Sequence, residues 1–526
     1  MAPLVIGIDV GTGSARAGVF DGEGACLGTA AHAIQLFQES GGVAEQSSRD
    51  IWQAVCQAVH DAMAAADATP DRIAGLGFDA TCSLVVVGLG GSVSQTGDSD
   101  HDIIVWMDHR ATAEAAEINA NAHDVLRYVG GTISPEMQTP KLLWLKRHLP
   151  GTYIQADHFM DLSDWLTWRA TGQTTRSVCT VACKWTYLAH DTRWDADYFR
   201  QIGLGDLADD AFARIGTDIA PPGEALASGL TAQAAAELGL TAGTPVAVSL
   251  IDAHAGGVGS LGAAGVGRIE SRMAYVFGTS ACTMSSSAAP VFVDGVWGPY
   301  FNAMVPGLWL NEGGQSAAGA TLDHLIQMHP ARNAALEHAN KAGLPLPTYL
   351  TQLAQQPPNW IAATQGITVV PDFNGNRAPF ADPHARGLVA GLRLDTSVES
   401  LAALFVAGIA GIACGLRQIL EAQAAQGLTT QAIVISGGAG ENPLARQIIA
   451  DTTGLPVLIP VSQNPVLLGS AMLGARAGGL FPRLTDAMSA MSAIQATVAP
   501  NDQMTDAATN RYRHYCALQS AARTGA

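Results

Sequence analysis

The stretch Val5-Ile6-Gly7-Ile8-Asp9-Val10-Gly11-Thr12-Gly13-Ser14-Ala15-Arg16 constrains this chain more than any other. Leu4 to Ile8 is a short apolar run, β-branched at Val5, Ile6 and Ile8, and reads as a buried strand. Asp9 falls at the strand's end, where a carboxylate can reach a cleft. Gly11 and Gly13 allow a tight turn and a close approach of backbone to ligand. Thr12, Ser14 and the backbone N–H groups of the turn offer donors to an anion. Ala17 to Asp21 then reads as the returning strand of a hairpin. Strand, acid, Gly/Thr/Ser turn and strand make a phosphate-and-magnesium site; an ordinary Gly-rich turn is the plainer alternative. Tyr275-Val276-Phe277-Gly278-Thr279-Ser280-Ala281-Cys282-Thr283 restates the pattern, so the chain carries two such turns, one near the start of each half.

Two halves suit the size. A chain of 526 residues with 48% hydrophobic residues exceeds one core and can fill two, with a boundary near residue 262. The formal net charge of −18 argues against nucleic acid or an anionic membrane as partner. The longest apolar run, Leu401 to Leu416, is short for a bilayer and rich in Ala and Gly, the composition of a closely packed core helix. The N-terminus lacks a basic region followed by an apolar stretch, so no secretory leader is expected. The eight Cys form no CxxC and no regular framework. Cys179 and Cys183 have helical spacing, but no His cluster lies near them in sequence to complete a zinc site. Reduced thiols in a cytoplasmic protein is the economical expectation.

Other strands also deliver polar residues at their ends, where ligands sit in α/β sheets. Ile73 to Phe78 leads into Asp79-Ala80-Thr81-Cys82-Ser83, and Ile103 to Trp106 into Met107-Asp108-His109-Arg110. Thr81, Cys82, Ser83, Trp106 and Asp108 thereby suggest a pocket for a small polyhydroxylated molecule; turns and helix caps are the alternative. Glu136 lies in a loop, Gly130 to Lys141, that feeds a helix. Lys184 sits in an uncharged neighbourhood, where it either snorkels to water or holds a sugar hydroxyl. Asp252 ends the apolar strand Ala247 to Ile251, either capping a helix or acting as a general base toward a hydroxyl. Glu312 precedes a Gly/Ser-rich helix start at Gly319. Ala432 to Ser436 feeds Gly437-Gly438-Ala439-Gly440-Glu441-Asn442, a backbone flat enough for a ring, with an amide able to bond a ring nitrogen.

This order of motifs resembles the FGGY carbohydrate kinases of the actin/hexokinase/Hsp70 ATPase superfamily over nearly the whole chain. The loop Pro371 to Gly387 resembles the family signature, with Asn374-Gly375-Asn376-Arg377 where Ser-Gly-Glu-Arg is common. The motifs at residues 77–83, 106–110 and 135–144 are most similar to the pentulose-kinase branch that acts on D-ribulose. Glycerol kinases carry Arg-Glu, and xylulokinases Met-His, where this chain has Cys82-Ser83. The resemblance implies an α/β fold of two actin-like (ribonuclease H-like) domains, 1–262 and 263–526, closing on ATP, Mg²⁺ and a sugar. It implies that Asp9 holds Mg²⁺ and that Thr12, Gly13, Ser14 and Arg16 line the γ-phosphate path. Gly278 and Thr279 would meet the other phosphates, Gly319 the ribose-phosphate region, and Gly438, Ala439 and Asn442 the adenosine. Asp252 would be the base, and Lys184, Glu312 and Trp106 would hold sugar. The implied reaction is phosphorylation of D-ribulose to D-ribulose 5-phosphate. L-ribulose, xylulose or a pentitol stand as alternative substrates, and a non-catalytic nucleotide switch as an alternative of another class. A homodimer is implied only at family level.

Overall fold

The two Gly/Thr/Ser turns sit at equivalent places in two copies of one sheet. The computed structural model describes residues 2–88, 91–95, 97–355 and 359–524. In the N-terminal half the strands are β1 (Leu4–Val10), β2 (Ser14–Phe20), β3 (Cys26–Ala33), β4 (Ile73–Ala80) and β5 (Leu250–Ile251). They lie in the order β5-β4-β1-β2-β3, with β1, β4 and β5 parallel and β1-β2-β3 an antiparallel meander. In the C-terminal half β6 (Arg272–Phe277), β7 (Ala281–Ser287), β8 (Trp309–Gln315), β9 (Ala432–Ser436) and β10 (Val457–Pro460) repeat that order and those senses. Edge strands Trp297–Phe301 and Ile494–Val498 widen this second sheet to seven. The halves are thus two α/β units of one topology.

Parallel strands buried on both faces read as unbroken apolar runs, and β1 is buried along its whole length. The helices that matter for the site are α1 (Ser48–Ala65), α2 (Val178–Trp185), α3 (Asp252–Leu261), α4 (Gly319–Met328), α5 (Val398–Ala425), α6 (Pro443–Thr453) and α7 (Pro465–Ala477). The hydroxyl of Ser47 caps α1. The apolar run at Leu401 extends into the 28-residue α5, longer than its apolar centre because polar ends continue the helix. A window of α5 is apolar enough to cross a membrane, and 89% of it is buried inside the protein as a core helix. The strands expected at Ile103 to Trp106 and Ala247 to Ile251 shorten to Ile103–Ile104, where a turn follows at Trp106, and to Leu250–Ile251, with Ala247 in an isolated bridge to Ala225.

Helix α7 belongs to the C-terminal half by chain order but packs on the N-terminal sheet and on α3. Glycines make this possible. A Cβ on Gly7, Gly75 or Gly77 would run into the carbonyl oxygens of Leu467, Gly474 and Ser470, and one on Gly469 into that of Ala255. Backbone therefore meets backbone across this contact, and the carboxyl ends of both sheets open on the same cleft.

Candidate active site

Asp9, at the end of β1, and Asp79, its Cα partner in β4, are joined by Asp252 at the first turn of α3, directly after β5. Three neighbouring parallel strands thus deliver three carboxyls. Asp9 and Asp79 are almost wholly buried, and Asp252 is partly so. The Arg16 guanidinium reaches Asp9 Oδ2 at 2.5 Å from the paired position on β2. Burial raises Asp9 above the usual carboxylate range, against Arg16, which pulls it down. Burial together with the Asp9 charge drives Asp79 well above that range, and Ser470 of α7 donates its hydroxyl to Asp79 Oδ2. Both oxygens of Asp9 and Oδ1 of Asp79 receive no donor in hydrogen-bond geometry. Asp252 rises to about 6 through burial and the nearby Asp9, while Ala253 N–H, His254 and Lys184 restrain it. Its Oδ1 accepts the N–H of Ala253 at 2.7 Å, within the first turn of α3.

Beside this triad lies a second cluster drawn from both halves. Lys184 on α2 is buried rather than snorkelling; its Nζ stands 3.8 Å from Glu312 Oε2 and 4.4 Å from the centre of the Trp297 ring. Glu312, on β8, is held at about 2: burial pushes it up, but Lys184, His254 and Arg377 overcome that. Glu136 is partly buried, which alone would raise it, yet His109, Arg377 and Lys184 hold it low. Burial pushes the Cys82 thiol to about 12, so it is a neutral, weakly polar contact. Trp106 fixes its indole by donating Nε1–H to Thr12 Oγ1 at 2.9 Å. Lys141, buried and drawn down to about 8 by that burial, ties the Val105 and Trp106 carbonyls at 3.0 and 3.3 Å.

Three expected sugar ligands are turned to structural work. Asp108 is fully buried; its oxygens accept from Ala44 N–H at 2.7 Å and from the Arg110 guanidinium at 2.7–2.9 Å, which leaves it no reach into the cleft. Ser83 is also fully buried; its hydroxyl accepts from Trp106 N–H at 3.1 Å and pairs with Thr81 Oγ1 at 3.0 Å. Thr81 is buried in the same pair, so of that triplet Cys82 remains beside the cleft. Conversely, Arg377, Trp297, Cys282, Asp79 and His254 belong to the site without having been singled out. Arg377 Nη1 lies 3.8 Å from Cys282 Sγ and its guanidinium 5.7 Å from the Trp297 ring. Its loop is braced from behind: Asn376 donates to Asp372, and Gln519 of the last helix donates to the other Asp372 oxygen. The signal for Arg377 was its place in the family signature; for Asp79, its position at a strand end.

The nucleotide candidates of the C-terminal half line one cavity of about 770 Å³. Gly278, Thr279, Gly319, Gly438, Ala439 and Asn442 contribute to its wall, with Leu322, Thr351 and Phe405. Gly319 N–H donates to Gly278 O at 2.9 Å, which seats the start of α4 on the turn, and a Cβ there would come within 2.7 Å of that oxygen. Gly438 faces open space. Asn442 is placed differently from the expectation: its Oδ1 caps α6 through Leu444 and Ala445 N–H, and its Nδ2 donates to Thr351 at 2.7 Å. A ring nitrogen has at most its second amide hydrogen to meet.

The chain matches the N-terminal domain of the FGGY family of carbohydrate kinases over residues 4–259 and the C-terminal domain over residues 273–478. It is 44% identical to an FGGY carbohydrate kinase domain-containing protein of Homo sapiens, covering 95% of this chain and 93% of that protein. It is 39% identical to a D-ribulokinase of Saccharomyces cerevisiae, over 91% of this chain and 72% of the relative. The fold is shared with a ligand-bound xylulose kinase from Lactobacillus acidophilus at a TM-score of 0.80 and 21% identity, covering 99% and 98% of the two chains. With two actin-like halves, paired phosphate turns and both domain matches in register, the chain belongs to the FGGY family of carbohydrate kinases, ATP-dependent enzymes that phosphorylate sugars.

Proposed function

We propose that this kinase phosphorylates a ketopentose at its terminal O5, with D-ribulose as substrate and Asp252 as general base. The observation that carries the reading is the pairing of a base tuned to about 6 with a buried Lys184–Glu312–Arg377 cluster beside it. Asp252 is mostly ionised at neutral pH yet not so acidic that it refuses a proton, the compromise general-base catalysis favours. As it takes the O5 proton, O5 bonds to the γ-phosphorus, and the bond from that phosphorus to the β–γ bridging oxygen breaks, releasing ADP. Lys184 and Arg377 offer donors to the carbonyl and hydroxyl oxygens of an open-chain ketose, and Glu312 and Glu136 accept from its hydroxyls. Trp106 and Trp297 present ring faces to the carbon chain.

The buried Asp9 carboxylate, beside Arg16 and Asp79, suits a hard, oxygen-seeking divalent cation. Asp9, with Asp79 beside it, would hold Mg²⁺, which neutralises charge on the phosphates. The turn at Thr12 to Ser14, with Arg16 behind it, and the turn at Gly278 and Thr279 cradle phosphates from opposite sides of the cleft. Gly438 and Ala439 leave a flat wall for adenine.

The choice of D-ribulose is supported by the 39% identical D-ribulokinase and by the Cys82-Ser83 pair. The test is an ADP-release assay comparing kcat/KM for D-ribulose, L-ribulose, D-xylulose, ribitol and glycerol. A pocket built to bond several hydroxyls rejects an analogue lacking them by up to about 10⁴-fold, because its own buried groups are left unpaired. D-ribulose is expected first and glycerol last. Glycerol in first place overturns the pocket; L-ribulose or ribitol there overturns only the stereochemical choice.

A further inference from the structure

Behind Glu312, on the side away from the cleft, lies a chain of polar atoms that the reaction does not use. Cys179 and Cys183 are one helical turn apart on α2, and His254, 75 residues beyond Cys179, points between them from α3; all three are fully buried. In sequence no His lies near the two thiols; the fold supplies one. His254 Nδ1 is 3.0 Å from Cys179 Sγ, and His254 Nε2 is 3.2 Å from Glu312 Oε2. Glu312 then leads to Lys184 at 3.8 Å.

Two readings compete. Three ligand atoms of this type, with a carboxylate behind the imidazole, are a zinc arrangement in outline. The spacing decides against it. Around a tetrahedral zinc, with bonds of about 2.3 Å to sulfur and about 2.0–2.1 Å to nitrogen, the two atoms stand roughly 3.5 Å apart. Here they are 3.0 Å apart, which is hydrogen-bond contact with no room for an ion between them. The remaining question is where the proton lies. Ile251 N–H donates to Cys179 Sγ at 3.4 Å, and the Cys183 thiol hydrogen-bonds to the same sulfur. Cys179 also occupies the first turn of α2, where the helix dipole favours an anion. On the other side of the ring, Glu312 is ionised and buried and favours a cation. The opposing groups are Asp161 and Asp164 facing Cys179 and the dipole of α3 at His254, while the Asp252 carboxylate near His254 favours the imidazolium. With the proton on His254, the buried charges alternate as thiolate, imidazolium, carboxylate and ammonium, and sum to zero.

We propose that Cys179 is a thiolate hydrogen-bonded to a His254 imidazolium, and that this pair is the positioning device that fixes the Glu312 carboxylate for the sugar. The Cys179 S–H proton resides on His254 Nδ1, and both ring N–H groups donate, one to sulfur and one to Glu312. The direction agrees with the electrostatics: Cys179, despite burial that raises it, is brought down to about 5 by Cys183 and His254, and His254 is raised to about 10 by Cys179 and Glu312 against its own burial. The second half of the proposal rests on Glu312 being a sugar ligand; the first half does not.

The test reads the thiolate directly. The other seven thiols are all raised, so at pH 7 one thiolate absorbance near 240 nm belongs to Cys179 alone. It is expected in native enzyme without substrate, to vanish in Cys179→Ser, and to bleach in native enzyme on a rapid jump to pH 4. The last measurement stands if the variant does not fold. Cys179→Ser should raise the KM for the best ketopentose by about 10–100-fold with the KM for ATP unchanged, the scale of losing one charge-assisted hydrogen bond. Cys179→Asp, which restores an anion, should recover most of it. No thiolate signal in native enzyme, or one equivalent of bound metal by elemental analysis, overturns the ion pair. A thiolate signal with an unchanged sugar KM in Cys179→Ser overturns the positioning role. If glycerol outranks the ketopentoses, the substrate reading fails while the absorbance still decides the pair.

Discussion

Asp9 and Asp79 are Cα partners across the parallel strands β1 and β4, and their carboxyls share one buried site beside a single guanidinium. Two carboxyls so placed cannot both ionise at neutral pH without a cation between them. Arg16 lies against Asp9, while burial and the Asp9 charge outweigh the hydroxyl that Ser470 donates to Asp79, so the charge settles on Asp9 and the proton on Asp79. Asparagine is a close mimic of a protonated aspartate and a poor one of an ionised aspartate. Asp79→Asn should therefore keep kcat/KM within about tenfold, while Asp9→Asn should lose at least about 10²-fold, the scale of removing a preorganised charge at a phosphoryl-transfer site. Equal losses in the two variants would place the charge on Asp79 instead.

Asp252, the proposed general base, is raised to about 6, and a base works in its ionised form. Activity is therefore full above that pH and lost below it as the base takes up a proton. The profile of log kcat/KM, which reports the free enzyme, should fall with unit slope on the acid side with an apparent pKa near 6. Asp252→Asn should abolish that limb and lower kcat by about 10²–10⁴-fold with little change in sugar KM. Near-normal turnover in this variant would reduce Asp252 to a helix cap.

The contact between α7 and the N-terminal sheet tolerates no side chain at Gly77, because a methyl would occupy the place of the Ser470 carbonyl. Gly77→Ala should destabilise the protein by about 1–3 kcal/mol, the range for overpacking a filled interior. It should also lower activity, because Ser470 and Asp79 lie on the two surfaces forced apart. A melting temperature unchanged from the native protein would show that α7 can shift freely.

Gly438 presents open space to the large cavity, unlike Gly437, whose φ of 88° and contact with Phe277 O make it a backbone necessity. Gly438→Val should raise the KM for ATP and leave sugar binding and folding intact. Calorimetry with unchanged nucleotide affinity would move the adenosine elsewhere.

What was legible in the sequence was local. The strand–turn–strand signals at Asp9 and Gly278 name the phosphate turns because apolar periodicity and glycine are properties of neighbouring residues. Their repetition foreshadowed the repeated topology. What was not legible depends on residues far apart in the chain. Asp108 looked like a cleft residue until Arg110 and Ala44 N–H took its oxygens, and Ser83 until Trp106 N–H did. Whether a strand-end side chain faces the cleft or the turn beneath it is set by which donors reach it: Arg110 and Ala44, 2 and 64 residues from Asp108, and Trp106, 23 residues from Ser83. The Cys179–His254 contact was invisible for the same reason, and Arg377 needed the last helix to brace its loop.

The hydrogen bond from Trp106 Nε1 to Thr12 Oγ1 joins the two substrate sides of the N-terminal half. Trp106 lies with the sugar candidates, and Thr12 forms the first phosphate turn, whose carbonyl also accepts from Gln46 at 2.9 Å. A sugar that orders the indole thereby orders the turn, and by linkage a bound triphosphate must order the indole to the same degree. Trp106→Phe keeps a ring for the sugar but deletes the donor, leaving Thr12 short of one partner, a loss of about 0.5–1.5 kcal/mol. The expected outcome is a rise in the KM for ATP of about two- to tenfold in a residue that touches no nucleotide. The synergy should fall as well: in native enzyme the Kd for ketopentose should tighten when a non-hydrolysable ATP analogue is present, and in Trp106→Phe that ratio should approach one. Isothermal titrations in both orders of addition measure it. A Trp106→Phe enzyme with a weaker sugar Kd but native ATP affinity and native synergy would show that the indole serves the sugar alone.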